Sequence, residues 1–170
     1  MKTFFRVVCL STLVLTGCAS NKPIGTESTS DNKAEIQKQV ELVQKKMSAC
    51  VADVNKTNEA KYVDANIIVI SANSPNAKQL MNSPDMINDE QALALKKFKE
   101  ATMQCRVLAK ELPKPDMVAV YEYYYSKIDD VYNDLVNKRI TIGVANQERQ
   151  MRLRYTNEKW AQVMKDYKGG

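Results

Sequence analysis

Histidine is absent from the 170-residue sequence. That absence removes every Ser-His and Cys-His nucleophile arrangement and every His-Glu-x-x-His zinc site, since each needs an imidazole as base or ligand. No glycine-rich phosphate loop stands anywhere in the chain. Five glycines and five prolines supply little turn chemistry, which argues against a sandwich or barrel built from many short strands. No apolar run approaches the ~20 residues that span a bilayer. Four cysteines occur without a C-x-x-C pair, so neither a redox motif nor a metal site is indicated, and no cofactor or metal is expected. Adjacent acids such as Asp129 and Asp130 would project about 100° apart on a helix and would not converge on one substrate bond.

The N-terminal stretch carries the sharpest signal. Lys2 and Arg6 precede a mostly apolar segment from Val7 to Leu15, which is too short to be a membrane span and has the form of an export signal. It ends in Leu15-Thr16-Gly17-Cys18, an aliphatic residue, two small ones and a cysteine, which looks like a bacterial lipobox. Cys9 is a poorer candidate because bulky Val7 and Val8 precede it. The expectation is a signal peptide over 1–17 and lipidation of the Cys18 thiol, a nucleophile that serine could not replace. Ala19 follows, not Asp, and in lipoproteins of this kind that points to the outer membrane over the inner. Residues 18–31 are rich in Ser, Thr and Asn and read as a lipidated tether, about 20 Å in mean reach, leaving 32–170 as a single domain.

Charge narrows the partners. Without Lys2 and Arg6, 23 basic residues face 20 acidic ones, a balance of +3 that gives no reason to expect nucleic acid. Cys50 and Cys105 remain after the signal and the lipid site are set aside, and one pair in an oxidising compartment predicts a disulfide.

Apolar spacing then predicts an all-α fold, an antiparallel bundle of four to five helices. Ile36, Val40, Val43, Met47, Cys50 and Val54 recur in steps of three and four on a first helix, with Asp31 or Asn32 as cap. A second segment from Thr57 or Asn58 to about Ser71 includes the β-branched run Ile67 to Ile70, which suits helix or strand. Helix is favoured, because no other run could pair with a lone strand. Residues 72–87 read as a connector with one helical turn near Leu80. Asn88 caps a helix through Leu95, Phe98, Thr102, Cys105, Ala109 and Leu112, stopped by Pro113 and Pro115. Cys50 and Cys105 thus lie on facing apolar stripes. A helix over 116–137 carries a broad stripe, and Thr141 opens the last helix, with Ile142, Ala145, Leu153, Thr156, Trp160, Val163 and Tyr167 inward.

Several phrases together, LMNSPDMINDEQ (80–91), Gln104-Cys105-Arg106 and YYSKIDDVYNDLVNKRITIGVANQER (124–149), resemble a group of small uncharacterised exported proteins and lipoproteins of gammaproteobacteria. The resemblance covers most of the chain after the signal. It implies an exported helical protein and brings no activity, ligand or site residue.

Three features are candidates for function. Tyr121, Tyr123, Tyr124 and Tyr125, with Tyr132 and Trp160, could line an aromatic groove for sugar or peptide; their helical spacing equally fits core residues whose hydroxyls reach the rim. Arg149 falls on the apolar stripe of the last helix and needs a partner. A hairpin turn near 138–141 would set it level with Asp129, so an Asp129–Arg149 ion pair is predicted, with an anion site as the functional alternative. Lys138, Arg139, Arg149, Arg152, Arg154 and Lys159 make the start of the last helix basic, diluted by Glu148 and Glu158. The expected role is an outer-membrane-anchored periplasmic lipoprotein without catalytic activity, binding the membrane through its lipid and another envelope component through its body. A cell-wall glycan hydrolase using paired carboxylates and a small-ligand carrier using the tyrosines are the alternatives.

Overall fold

In the computed structural model, residues 27–71 and 73–167 are described. The predicted signal peptide, Cys18 and most of the predicted tether lie outside them. The chain is all-α: α1 (Glu27–Val54), α2 (Asn58–Asn66), α3 (Ala77–Met81), α4 (Asp89–Arg106), a 3-10 turn (Val107–Glu111), α5 (Pro115–Val136) and α6 (Ile142–Lys165), with no strand among the described residues. Four long helices make the bundle and two short ones close one end. Helix α1 starts at Glu27, inside the 18–31 span read as a tether and ahead of the Asp31 or Asn32 cap.

Local chemistry sets most boundaries. The Thr57 hydroxyl accepts from the Ala60 amide at 3.2 Å, and Thr141 does the same for Val144 at 3.2 Å. Asn88 and Gln91 form a reciprocal capping box, each side chain accepting from the other's backbone N–H. Pro115 opens α5, where its missing N–H costs nothing. Lys138, in the left-handed region at φ 56°, ends α5 and turns the chain toward α6.

The helices pack antiparallel. As α1 runs back from Cys50 to Lys46, the neighbouring chain runs forward from Cys105 to Glu111. A disulfide joins the cysteines with Cα atoms 5.6 Å apart, and a Lys46–Glu111 ion pair of 2.6 Å follows one turn on. Helices α5 and α6 form a hairpin, with Leu135 and Ile142 buried near its turn and Met117 and Met164 buried at its open end. Two apolar clusters result. One gathers α2, α4, the second half of α5 and the start of α6; the other gathers the first half of α1, the 3-10 turn and the open end of the hairpin.

Two packing expectations are corrected. Leu153 is 40% exposed, because eight residues beyond Ala145 it has rotated about 80° off the stripe; Met164 takes the buried position that α6 offers later. Helix α2 stops at Asn66, and Ile67 to Ile70 form neither helix nor strand. Ile67 and Ile68 are fully buried all the same. Their amides both reach the Val63 carbonyl at 2.9 Å, and side chains take over from there. Asn146 Oδ1 accepts from Val69 N–H at 2.8 Å and Asp64 Oδ1 from Ile70 N–H at 2.6 Å, while Asn146 Nδ2 donates to Ile67 C=O and Arg149 to Val69 C=O, both at 2.8 Å. Polar side chains stand where a partner strand would be, so the backbone of this apolar run is satisfied without regular structure.

Candidate functional site

Tyr132 is the most buried of the candidate tyrosines and the only one of the six aromatic candidates classed with the core, at 5% exposed. The predicted groove divides into three places. Tyr121 packs edge-on against Trp160 at 5.4 Å between ring centroids, inside the cluster at the open end of the hairpin. Tyr123 faces outward at 44% exposed and lies 5.6 Å from Tyr155, with Lys127 and Lys159 over the two rings. Tyr124, Tyr125 and Tyr132 face a cleft on the other side of α5. The division follows from helix geometry: each residue turns the side chain by about 100°, so four tyrosines in five positions cannot share one face.

The cleft has a volume of about 170 Å³ and lies between the end of α1, the 67–71 segment, α4, α5 and α6. Phe98, Ile128, Ile70 and Cys105 supply apolar wall; Arg106 and Arg149 supply charge. Arg106 donates to Asp129 Oδ1 at 2.8 Å and stacks over the Tyr125 ring at 5.1 Å, and Lys99 approaches the same carboxylate oxygen at 3.4 Å. The predicted Asp129–Arg149 pair is therefore not formed. The two are level along the hairpin, but Asp129 is turned one position past the buried Ile128 and faces α4, where two cations claim it.

Arg149 is left without a carboxylate within 4 Å among the described residues. It donates to the Val69 carbonyl, and its Nε is buried with no acceptor. Burial opposes its charge, yet Tyr132, Tyr124 and, to a smaller degree, Asp64 together outweigh that and hold its proton more tightly than usual. The phenols respond in turn. Burial pushes Tyr124 up, and Tyr125 is pushed up to about 12, chiefly by burial and then by neighbouring Tyr121, against the opposing pull of Arg106. Tyr124 and Tyr125 are therefore neutral hydroxyl donors at physiological pH.

Other candidates resolve differently. Lys138 pairs with Asp89 at 2.8 Å, Arg139 with Asp134 at 3.1 Å and Arg152 with Glu148 at 2.8 Å, which leaves the basic stretch a mixed-charge surface. Asp130, Asp134 and Glu148 do share a depression, but each is held by its own cation, Asp130 by Lys127 at 2.9 Å, Asp134 by Arg139 and Glu148 by Arg152. Among the described residues, no three acids or cysteines stand close enough to hold a metal ion, and no helix is long and apolar enough to cross a membrane.

Two residues that the pattern of the sequence did not single out shape this site. Asn146, 3% exposed, ties α6 to the 67–70 wall of the cleft. Gly143 lets the connector after α3 lie against α6, with its N–H donating to the Ser83 carbonyl at 2.9 Å; a Cβ there would sit 2.6 Å from that oxygen. A buried asparagine five residues after an N-cap, and a glycine in a helix's first turn, were the available signals. No family model, curated protein or solved structure matches this chain.

Proposed function

We propose that the protein is a lipid-anchored binding protein of the bacterial envelope, held on the outer membrane through Cys18 and facing the periplasm. The observation that carries the binding role is the cleft in which the Arg149 guanidinium, its Nε buried without an acceptor, has no carboxylate partner among the described residues. A buried cation of this kind is costly unless something completes its coordination. Support for the address comes from Leu15-Thr16-Gly17-Cys18 with Ala19 after it, and the Cys50–Cys105 disulfide suits an oxidising compartment. Catalysis by paired carboxylates is the weaker reading, because the acids that share a depression are each engaged by a lysine or arginine.

A second reading, in which the body docks on another envelope protein, draws on the exposed Tyr123–Tyr155 pair on the outer face of the α5–α6 hairpin. The anchor and the partner are tested separately. Intact mass of the purified product should give a chain that begins at Cys18 and carries acyl groups, and Cys18→Ser should leave the precursor uncleaved; an unacylated terminus elsewhere refutes the anchor. Crosslinking in cells through a photoreactive residue at Tyr123 should recover one envelope protein in stoichiometric yield if the hairpin face docks. Recovery of monomer alone removes that second reading.

A further inference from the structure

The charge ledger around the cleft does not balance. Lys99, Arg106 and Arg149 are three cations, and Asp129 and Asp64 are the carboxylates that act on them. Asp129 is occupied by Arg106 at 2.8 Å and Lys99 at 3.4 Å. Asp64 spends its Oδ1 on the amides of Ile70 and Ser71, at 2.6 and 3.3 Å. The sum is one positive charge in excess, and among the described residues Arg149 is the one of the three cations with no carboxylate within 4 Å: its hydrogen bond goes to the Val69 carbonyl, and its Nε is buried without an acceptor.

We infer that the cleft binds a small organic carboxylate, its flat apolar body against Tyr124, Tyr125 and Phe98 and its anionic end toward Arg149. This rests on the binding role proposed above and names the class of ligand. Three features select it. A single unmatched guanidinium balances one negative charge, whereas a phosphate dianion would need more donors than this mostly apolar wall presents. Two arginines on the lining exclude a cation, and a neutral ligand would leave Arg149 uncompensated. At about 170 Å³ the cleft suits a single ring with its substituent, since an apolar cavity of about 150 Å³ accepts benzene. Tyrosine faces give the ring a stacking surface, and their neutral hydroxyls can donate to the carboxylate.

Calorimetric titration of the full-length purified protein with benzoate, benzamide and inorganic phosphate tests this. Benzoate should bind one-to-one with a dissociation constant on the order of 1 mM or tighter, as its small size allows. Benzamide and phosphate should bind at least tenfold more weakly. Arg149→Met should weaken benzoate roughly ten- to a hundredfold, the range of a charge-assisted hydrogen bond. Val51 stands exposed at the rim of the cleft, away from Arg149's hydrogen bonds, so Val51→Phe should obstruct entry with the helical circular dichroism unchanged. This second variant decides the matter if Arg149→Met unfolds. Equal binding of benzamide or phosphate, or wild-type benzoate binding in the folded Val51→Phe protein, overturns the assignment of a carboxylate to this cleft while leaving a binding role standing. Absence of binding by all three probes overturns both.

Discussion

Replacing Asn146 by leucine keeps the side-chain volume near native and removes three hydrogen bonds. The amide donates to Ile67 C=O at 2.8 Å and to Ile142 C=O at 2.9 Å, and accepts from Val69 N–H at 2.8 Å. Ile142 C=O lies in a helix and keeps its backbone partner. The other two groups belong to irregular chain and have no replacement, with Ile67 wholly buried. Each buried group left unpaired costs about 1–3 kcal/mol, and the leucine methyls recover part of that, so a net loss of about 3 kcal/mol is expected. That corresponds to a fall in Tm of roughly 6–12 °C for a domain of this size. Urea denaturation followed by circular dichroism measures the loss, and amide exchange at Val69 reports whether the 67–70 segment opens first. The segment carries Ile70 and the Val69 carbonyl that positions Arg149, so benzoate binding should weaken along with it. A stability change below about 0.5 kcal/mol, with the Val69 amide still protected, would refute the claim that side chains hold this run in place.

Three further outcomes follow from the same geometry. Converting Cys50 and Cys105 together to alanine should cost about 4 kcal/mol, because the bridge closes a separation of 55 residues in the unfolded chain; a urea midpoint corresponding to less than about 1 kcal/mol would contradict the loop-entropy account. Gly143→Ala should destabilise by about 1–3 kcal/mol, since the added methyl meets backbone atoms of Ser83 that no rotamer change can move; an unchanged melting curve would mean that the connector is free to shift. Stability should decline as pH rises from about 10 to about 12. Burial holds the Tyr125 phenol neutral up to about 12 against 10.0 when unfolded, so its contribution is complete below pH 10 and is lost through this window. Tyr125→Phe should flatten that decline in urea titrations at pH 8 and pH 11, and an identical slope in the variant would assign the effect elsewhere.

Helix existence was legible where repetition is strong. The step of three and four from Ile36 to Val54 and again from Leu95 to Leu112 placed both cysteines on facing stripes, and the pairing follows from that. Thr57, Asn88 and Thr141 announced helix starts because each offers an oxygen to an otherwise unpartnered amide. Ile67 to Ile70 misled, because propensity speaks to packing and cannot reveal that Asp64, Asn146 and Arg149 arrive from 6 to 80 residues away to satisfy the backbone. Asp129 and Arg149 misled for a related reason: being level along a hairpin fixes height, while the direction of each side chain decides who meets whom.

Periodicity, caps and the spacing of two cysteines are local properties of the chain, and from them the sequence by itself determined an all-helical bundle with one disulfide. The cleft was decided only by tertiary structure. It exists because α5 turns three of its tyrosines to one side, α4 captures Asp129, and an irregular apolar segment accepts one of Arg149's hydrogen bonds without neutralising its charge. Those relations depend on rotation about helix axes and on contacts between distant segments, and no window along the chain contains them.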